Sequence, residues 1–167
     1  MDNEIKKETY PAIDLIYEQT LKANELSIQR YDIVDGKIDQ LLTWISSITL
    51  GILAIIGIKG EMSYFHFWAY NIAMFFFGLC LLIGVIAKIK GFKKLGLPII
   101  TATPENLYKT RMFQDIIEYK IDIIYWGGIH FAHNLKLINL KGQLSVLITW
   151  SFIIEAIFLG IWLYHLG

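Results

Sequence analysis

Disulfides, frequent proline breaks and a net field are all missing from this chain. It has 167 residues with one cysteine, three prolines and no net charge, Lys and Arg matching Asp and Glu at 15 each. The single thiol, Cys80, cannot form an intrachain disulfide, and its place inside an apolar stretch marks it as a buried structural residue. Charge balance excludes a global attraction to nucleic acid or an anionic surface, so any basic site is local. A glycine-rich phosphate loop, a serine elbow, a catalytic cysteine arrangement and a dinucleotide fingerprint are lacking too. No enzyme activity and no cofactor is expected.

What the chain does have is apolar length. Hydrophobic residues make up 55% and charged residues 18%, with a mean hydropathy of +0.49, above the roughly 45–50% apolar share of a soluble domain. Residues 41–58 and 62–87 are essentially charge-free and long enough to cross a bilayer, and a third stretch over 142–167 is interrupted only by Glu155. The expected fold is an all-α membrane protein with three transmembrane helices and two long cytoplasmic helical segments. Its parts are a cytoplasmic amphipathic helix over 1–40, spans over 41–58, 62–87 and 143–166, and a cytoplasmic turn and helix over 91–142.

Loop charge sets the expected orientation. Lys88, Lys90, Lys93 and Lys94 follow the second span, whereas the link between spans one and two offers Lys59 against Glu61. Arg30 and Lys37 before the first span, and Lys136 and Lys141 before the third, agree with a cytoplasmic side there. The N-terminus is expected inside and the C-terminus outside. Met1-Asp2-Asn3-Glu4 is acidic where a secretory signal starts basic, so no cleavable signal is expected.

Ahead of the first span, Ile13, Ile16, Tyr17, Leu21, Ile28, Tyr31 and Ile38 recur at helical spacing, with Pro11 near the start. Only Gly36 intervenes before residue 41, so this helix is expected to run into the membrane as a stalk. After the second span, the glycines and proline of residues 91–98 mark a turn. Thr103-Pro104-Glu105 then reads as a helix start. The amphipathic pattern continues to about Lys141 through Leu107, Phe113, Ile117, Ile121, Ile124, Phe131, Leu135 and Ile138, with Gly127-Gly128 as a kink site.

Inside the spans, small residues fall at helical spacing: Thr43, Ser47, Gly51 and Ala54 on the first, Cys80 and Gly84 on the second, Ser145, Thr149, Ala156 and Gly160 on the third. Such faces serve close helix packing or line a pore. Glu155 lies one step from the third stripe and one turn after Ser151. A carboxylate at bilayer depth costs about 2.5–3.5 kcal/mol on insertion scales, so it faces a partner helix or water. Two readings are open for it, a ring of carboxylates in a symmetric oligomer and a hydrogen-bonded glutamate between helices. Glu155, Thr43, Ser47 and Thr149 are the pore or gate candidates. Tyr64, Phe65, Trp68, Tyr70, Trp162 and Tyr164 read as an outer aromatic belt, and Trp44 as its inner counterpart.

His130 and His133 share a helical face, but two ligands without a third, an HExxH pattern or a cysteine pair do not make a zinc site, so no metal is expected. With Arg111, Lys120, Lys136 and Lys141 they form the candidate ligand-binding set for phosphates of a nucleotide or of lipid headgroups. The other use of these residues is a solvated helix face.

The run Arg30-Tyr31-Asp32-Ile33-Val34-Asp35-Gly36-Lys37-Ile38-Asp39-Gln40-Leu41-Leu42 resembles the entry to the first span in bacterial antiphage membrane effectors of the Pycsar-transmembrane and SLATT type. His133-Asn134-Leu135-Lys136-Leu137 through Lys141 is similar to the long cytoplasmic helix leading into the last span of the Pycsar-transmembrane group. Where those relatives often carry Lys-Ala after the acidic residue, this chain has Lys37-Ile38. The resemblance implies an effector that damages the inner membrane when it senses a nucleotide or oligonucleotide second messenger made by a partner nucleotidyltransferase or cyclase. With no room for a separate sensor domain, the signal would act on the cytoplasmic helices, as in Hailong-type effectors. The expectation is thus a homo-oligomer, read as a tetramer, that forms a gated ion channel or membrane-disrupting pore. The competing expectation is a non-conducting membrane anchor or accessory subunit that docks a partner protein.

Overall fold

The structure is a computed structural model that describes residues 10–58, 68–89, 109 and 111–165. Expectations about Met1-Asp2-Asn3-Glu4, Lys59, Glu61, Tyr64, Phe65, Lys90, Lys93, Lys94, the turn at 91–98 and the start at Thr103-Pro104-Glu105 concern residues outside that set. Among the described residues there are three long helices and no strand: α1 (Ile13–Ile58), α2 (Trp68–Lys88) and α3 (Ile116–Tyr164). Each is long and apolar enough to cross a membrane. The 21 residues of α2, at about 1.5 Å rise each, extend about 32 Å, close to the roughly 30 Å hydrocarbon thickness of a bilayer.

Pro11 lies in the turn ahead of α1, where the Ile13 amide donates to the Tyr10 carbonyl at 3.1 Å. Gly36 does not interrupt the helix, so α1 runs unbroken into the first apolar stretch, as its lack of other breakers implied. The start of α3 is set by Asp115, whose carboxylate accepts the Ile117 amide at 2.8 Å, an N-cap. The amphipathic helix expected to run through Phe113 is therefore broken there: residues 112–115 leave the helix, and Phe113 is 96% exposed. Gly127-Gly128 does not interrupt α3, which continues to Tyr164.

The described residues divide into two compact units. In the first, residues 13–32 of α1 pack on 116–138 of α3 around Ile13, Tyr31, Ile117 and Leu137, with Asn24, Ser27 and Asn134 buried among them. Partners there lie 103 to 107 residues apart, Asp14 with Lys120, Asn24 with Gly127, Ser27 with Asn134. A near-constant separation means that the two helices run parallel.

In the second unit, α1 and α3 are again parallel, through Asp35 with Lys141 and Thr49 with Glu155. The helix α2 runs antiparallel to both: Lys88 meets Asp35, Gly84 meets Leu42, and Tyr70 meets Trp162. Two clusters fill this unit, one around Ile38, Ile45, Cys80, Ala87 and Ile148, the other around Ala69, Ala73, Leu159 and Trp162. Trp162, expected in an interfacial belt, is instead fully buried, with its ring 4.9 Å from that of Tyr70. Ala69 and Ala73, four apart on α2, leave the recess that receives the indole. Trp44, Trp68 and Tyr164 are exposed.

Two adjacent glycines have opposite roles. A Cβ on Gly127 would lie 2.3 Å from Thr20 Cγ2, a β-branched side chain further held by its hydroxyl bond to the Ile16 carbonyl. A Cβ on Gly128 would meet nothing within 4 Å. Gly127→Ala is expected to destabilise the first unit by about 1–3 kcal/mol through overpacking. Gly128→Ala should stabilise it by about 0.5–1 kcal/mol through helix propensity. Thermal melts followed by circular dichroism in mild detergent check both signs.

Candidate functional site

The second unit holds two polar constellations. The first lies where the apolar stretches begin or end. Asp35 of α1 accepts from Lys88 of α2 at 2.7 Å and from Lys141 of α3, while Lys88 also donates to Asp39 at 2.7 Å and to the Asp35 carbonyl at 3.2 Å. One carboxylate thus ties all three helices. Burial pushes the Asp35 carboxyl up, but the bonds and charges of Lys141 and Lys88 outweigh it and hold the group below its ordinary value. Burial lowers Lys88, and the two aspartates more than reverse that, raising it above its ordinary value. Lys141 itself is 3% exposed, a depth lysine tolerates when a carboxylate meets it.

The second constellation is Glu155 with Thr49. Both are fully buried, and the Thr49 hydroxyl donates to Glu155 Oε1. Cys80 of α2 donates weakly to the Ile148 carbonyl at 3.6 Å, and Ser151 is buried one turn before Glu155.

The other pore or gate candidates do not gather around Glu155. Thr43 and Ser47 are exposed on the outward face of α1, and Thr149 is half-buried. Thr43 and Thr149 spend their hydroxyls on carbonyls four residues back, those of Asp39 at 2.8 Å and Ser145 at 2.9 Å. Sequence reasoning missed Thr49 and Asp35. The signal available was heptad spacing, since Thr49 follows the buried Ile45 and Ile38 by four and eleven residues.

The candidate phosphate set is dispersed. In the first unit Lys120 donates to Asp14 at 2.6 Å and lies 5.9 Å from the Tyr17 ring centre. Arg111 binds Gln114 at 2.8 Å and pairs with Asp122. The Gln114 side chain, then Arg111, hold the Asp122 carboxyl below its ordinary value. Lys120 and Lys136 are separated by sixteen residues of α3, about 24 Å along the axis. His130 is half-buried with its ring 6.3 Å from Trp126, and His133 is half-buried. Lys141 belongs with Asp35 in the second unit.

An open recess of about 350 Å³ in the first unit is lined by Tyr10, Pro11, Ala12, Ile13, Ile16, Ile121 and Ile124 and offers almost no polar group to orient a phosphate. Among the described residues no three His, Cys, Asp or Glu side chains gather to hold a metal ion.

Comparison of the chain with protein-family models, curated proteins and solved structures returns no match.

The Asp35 cluster can be tested directly. Asp35→Asn removes the carboxylate that two lysines face and is expected to cost about 1.5–3 kcal/mol. The double variant with Lys141→Met should cost less than the sum of the two single changes. Because the folded Asp35 carboxyl is depressed, its contribution is fully present above about pH 4 and disappears as pH falls further, through the folded value. Melting temperature against pH, in wild type and Asp35→Asn, checks the sign: the acid loss should shrink in the variant.

Proposed function

We propose that this chain is a small membrane effector that assembles with copies of itself and conducts ions, or breaches the bilayer, when its extramembrane helices receive a signal. The observation that carries this reading is the outward face of α1. Thr43, Ser47, Gly51 and Ala54 are all exposed there. The large exposed side chains beside that stripe, Trp44, Ile48, Leu50 and Ile55 on α1, and Val146, Leu147, Trp150, Ile153 and Ile157 on α3, are apolar, and α3 exposes Ala156 and Gly160 but no hydroxyl of its own small stripe. Large apolar side chains suit lipid, whereas a small, hydroxyl-bearing face suits close approach of other helices or contact with water and ions.

On this reading Thr43 and Ser47 lie at the subunit contact or conduction path, and Glu155 acts as an internal gate through its hold on Thr49. Residence in a bacterial inner membrane with the N-terminus cytoplasmic, a tetrameric state, a role in antiphage defence and control by a nucleotide second messenger complete the proposal. They rest on the loop charges and on the resemblance of the juncture at residues 30–42. A ligand with differential affinity for two states of the bundle would shift its population.

A second reading is favoured by a different observation. The first unit exposes Tyr125, Trp126 and Ile129 on α3 together with Leu15 and Leu26 on α1, an aromatic and aliphatic surface of the kind enriched at protein contacts. A non-conducting anchor that docks a partner protein would use that surface.

Reconstitution into vesicles separates the two. Wild type is expected to dissipate an imposed potassium potential in the presence of an activating nucleotide or in its constitutive open state. Ser47→Leu should reduce that flux by about tenfold or more while native mass spectrometry shows the same oligomer, since a bulky apolar group replaces a small face residue. Absence of flux under every condition, with a monomer seen in native mass spectra, would move the assignment to the anchor.

A further inference from the structure

Glu155 is the one ionisable side chain among the described residues of 41–58, 68–87 and 142–164 apart from Cys80 and the tyrosines. It is 0% exposed. Oε1 accepts the Thr49 hydroxyl from α1, and Oε2 has no hydrogen-bond partner among the described residues. The other buried titratable side chain in these stretches is the Cys80 thiol of α2, which donates to the Ile148 carbonyl of α3 at 3.6 Å, two turns before Glu155. On α1 the facing group is the uncharged Thr49, and on α3 itself Ser151 lies one turn away. No lysine or arginine occurs in these stretches of the three helices.

A carboxylate in such a setting keeps a large desolvation penalty. One hydroxyl donor does not cover it, and the bare Oε2 would carry half of an unpaired charge. A neutral acid lowers that cost, because no charge is then buried and only one hydroxyl is left without a partner. Oε1 remains the carbonyl oxygen that accepts from Thr49, and the proton resides on Oε2, the atom left without a donor.

We propose that Glu155 is a proton-binding site at the centre of the second unit, occupied by a proton at neutral pH, and that release of this proton loosens the contact of α1 with α3. The step is a simple acid dissociation: the Oε2–H bond breaks, the electron pair stays on the carboxylate, and the proton passes to water. A newly formed carboxylate needs solvation that the closed packing does not supply, so water enters as the helices separate. This inference concerns the packing of the second unit and does not depend on whether the protein conducts ions.

The test uses the full-length protein in alkyl maltoside micelles, which hold no ester carbonyl to mask the stretch of a carboxylic acid. Carboxyl groups in water ionise near pH 4, so at neutral pH the infrared carbonyl stretch of a protonated acid should come from Glu155. The expected result is such a band in wild type, absent in Glu155→Gln, that persists at neutral pH and bleaches as the solution is made alkaline. No acid band in wild type at neutral pH would overturn the assignment, and this arm needs no variant.

The linked opening is read with the protein's own thiol. Alkylation of Cys80 by a membrane-permeant maleimide accelerates with pH in any protein as the thiolate forms. The informative quantity is therefore the wild-type rate divided by the Glu155→Gln rate at each pH. That ratio is expected to rise several-fold over the range in which the acid band bleaches. A ratio that stays flat while the band bleaches would overturn the coupling of proton release to helix separation.

Discussion

The structure depends on a seam in which polar side chains must find their partners on the facing helix. Along α3 the residues Gly127, Asn134, Lys141, Ile148, Glu155 and Trp162 recur every seven positions and all are buried. Along α1 the same spacing takes in Asn24, Tyr31, Ile38 and Ile45. A seven-residue repeat keeps one stripe of a helix against its neighbour over many turns. A purely apolar stripe of this kind could slide by one repeat at little cost. Here sliding would separate Asn24 from the Gly127 carbonyl and Ser27 from Asn134 in the first unit, and Asp35 from Lys141 and Thr49 from Glu155 in the second. Buried polar groups left without partners cost about 1–3 kcal/mol each, more when charged. The seam gives up some stability for a single register.

The two acidic members of the second unit meet the low dielectric in different ways, and their positions explain why. Asp35 and Asp39 precede the first apolar stretch, Lys88 follows the second, and Lys141 precedes the third. The ion pairs therefore sit at the ends of the apolar runs, where the side chains of Asp35 and Lys88 each keep about 30% exposure. Charge survives there because water reaches part of the cluster and opposite charges meet the rest. Glu155 lies well inside its apolar run, where the described residues include no Lys or Arg, and a hydroxyl takes the place of an ion pair.

Much of this architecture was legible in the chain. Apolar runs without charge identified the three long helices, and the lack of any breaker except Gly36 implied that α1 would continue into the first of them. Glu155 stood out because a carboxylate is rare in such a run. Its partner did not: Thr49 is one of several hydroxyl residues in 41–58, and the small-residue stripe of Thr43 and Ser47 drew attention to the opposite, exposed face. Charge alone also suggested a phosphate site from Arg111, Lys120 and Lys141, each of which meets an aspartate, two of them across 106 residues of sequence. Local pattern cannot reveal a pair at that separation. Nor can it tell Gly127 from Gly128, since only the packed structure shows which of the two faces Thr20. Trp162 looked like an interfacial residue until the recess at Ala69 and Ala73 was present to receive it.

The contact of α1 with α3 in the second unit is thus held at two levels that make opposite demands on protons. The Asp35 cluster requires a carboxylate, because Lys141 and Lys88 bind charge there. The Glu155 contact, as proposed, requires a neutral acid, because no Lys or Arg occurs among the described residues of these apolar runs. Acid strips the first level and leaves the second, whereas alkali leaves Asp35 ionised and removes the proton from Glu155. On that proposal the bundle has one pH range in which both levels hold, and outside it one or the other contact is weakened. An opening that starts at Asp35 exposes a rim already partly wet, at modest cost. An opening that starts at Glu155 must bring water into an apolar run, and it is the one that would breach the interior of a membrane-spanning bundle.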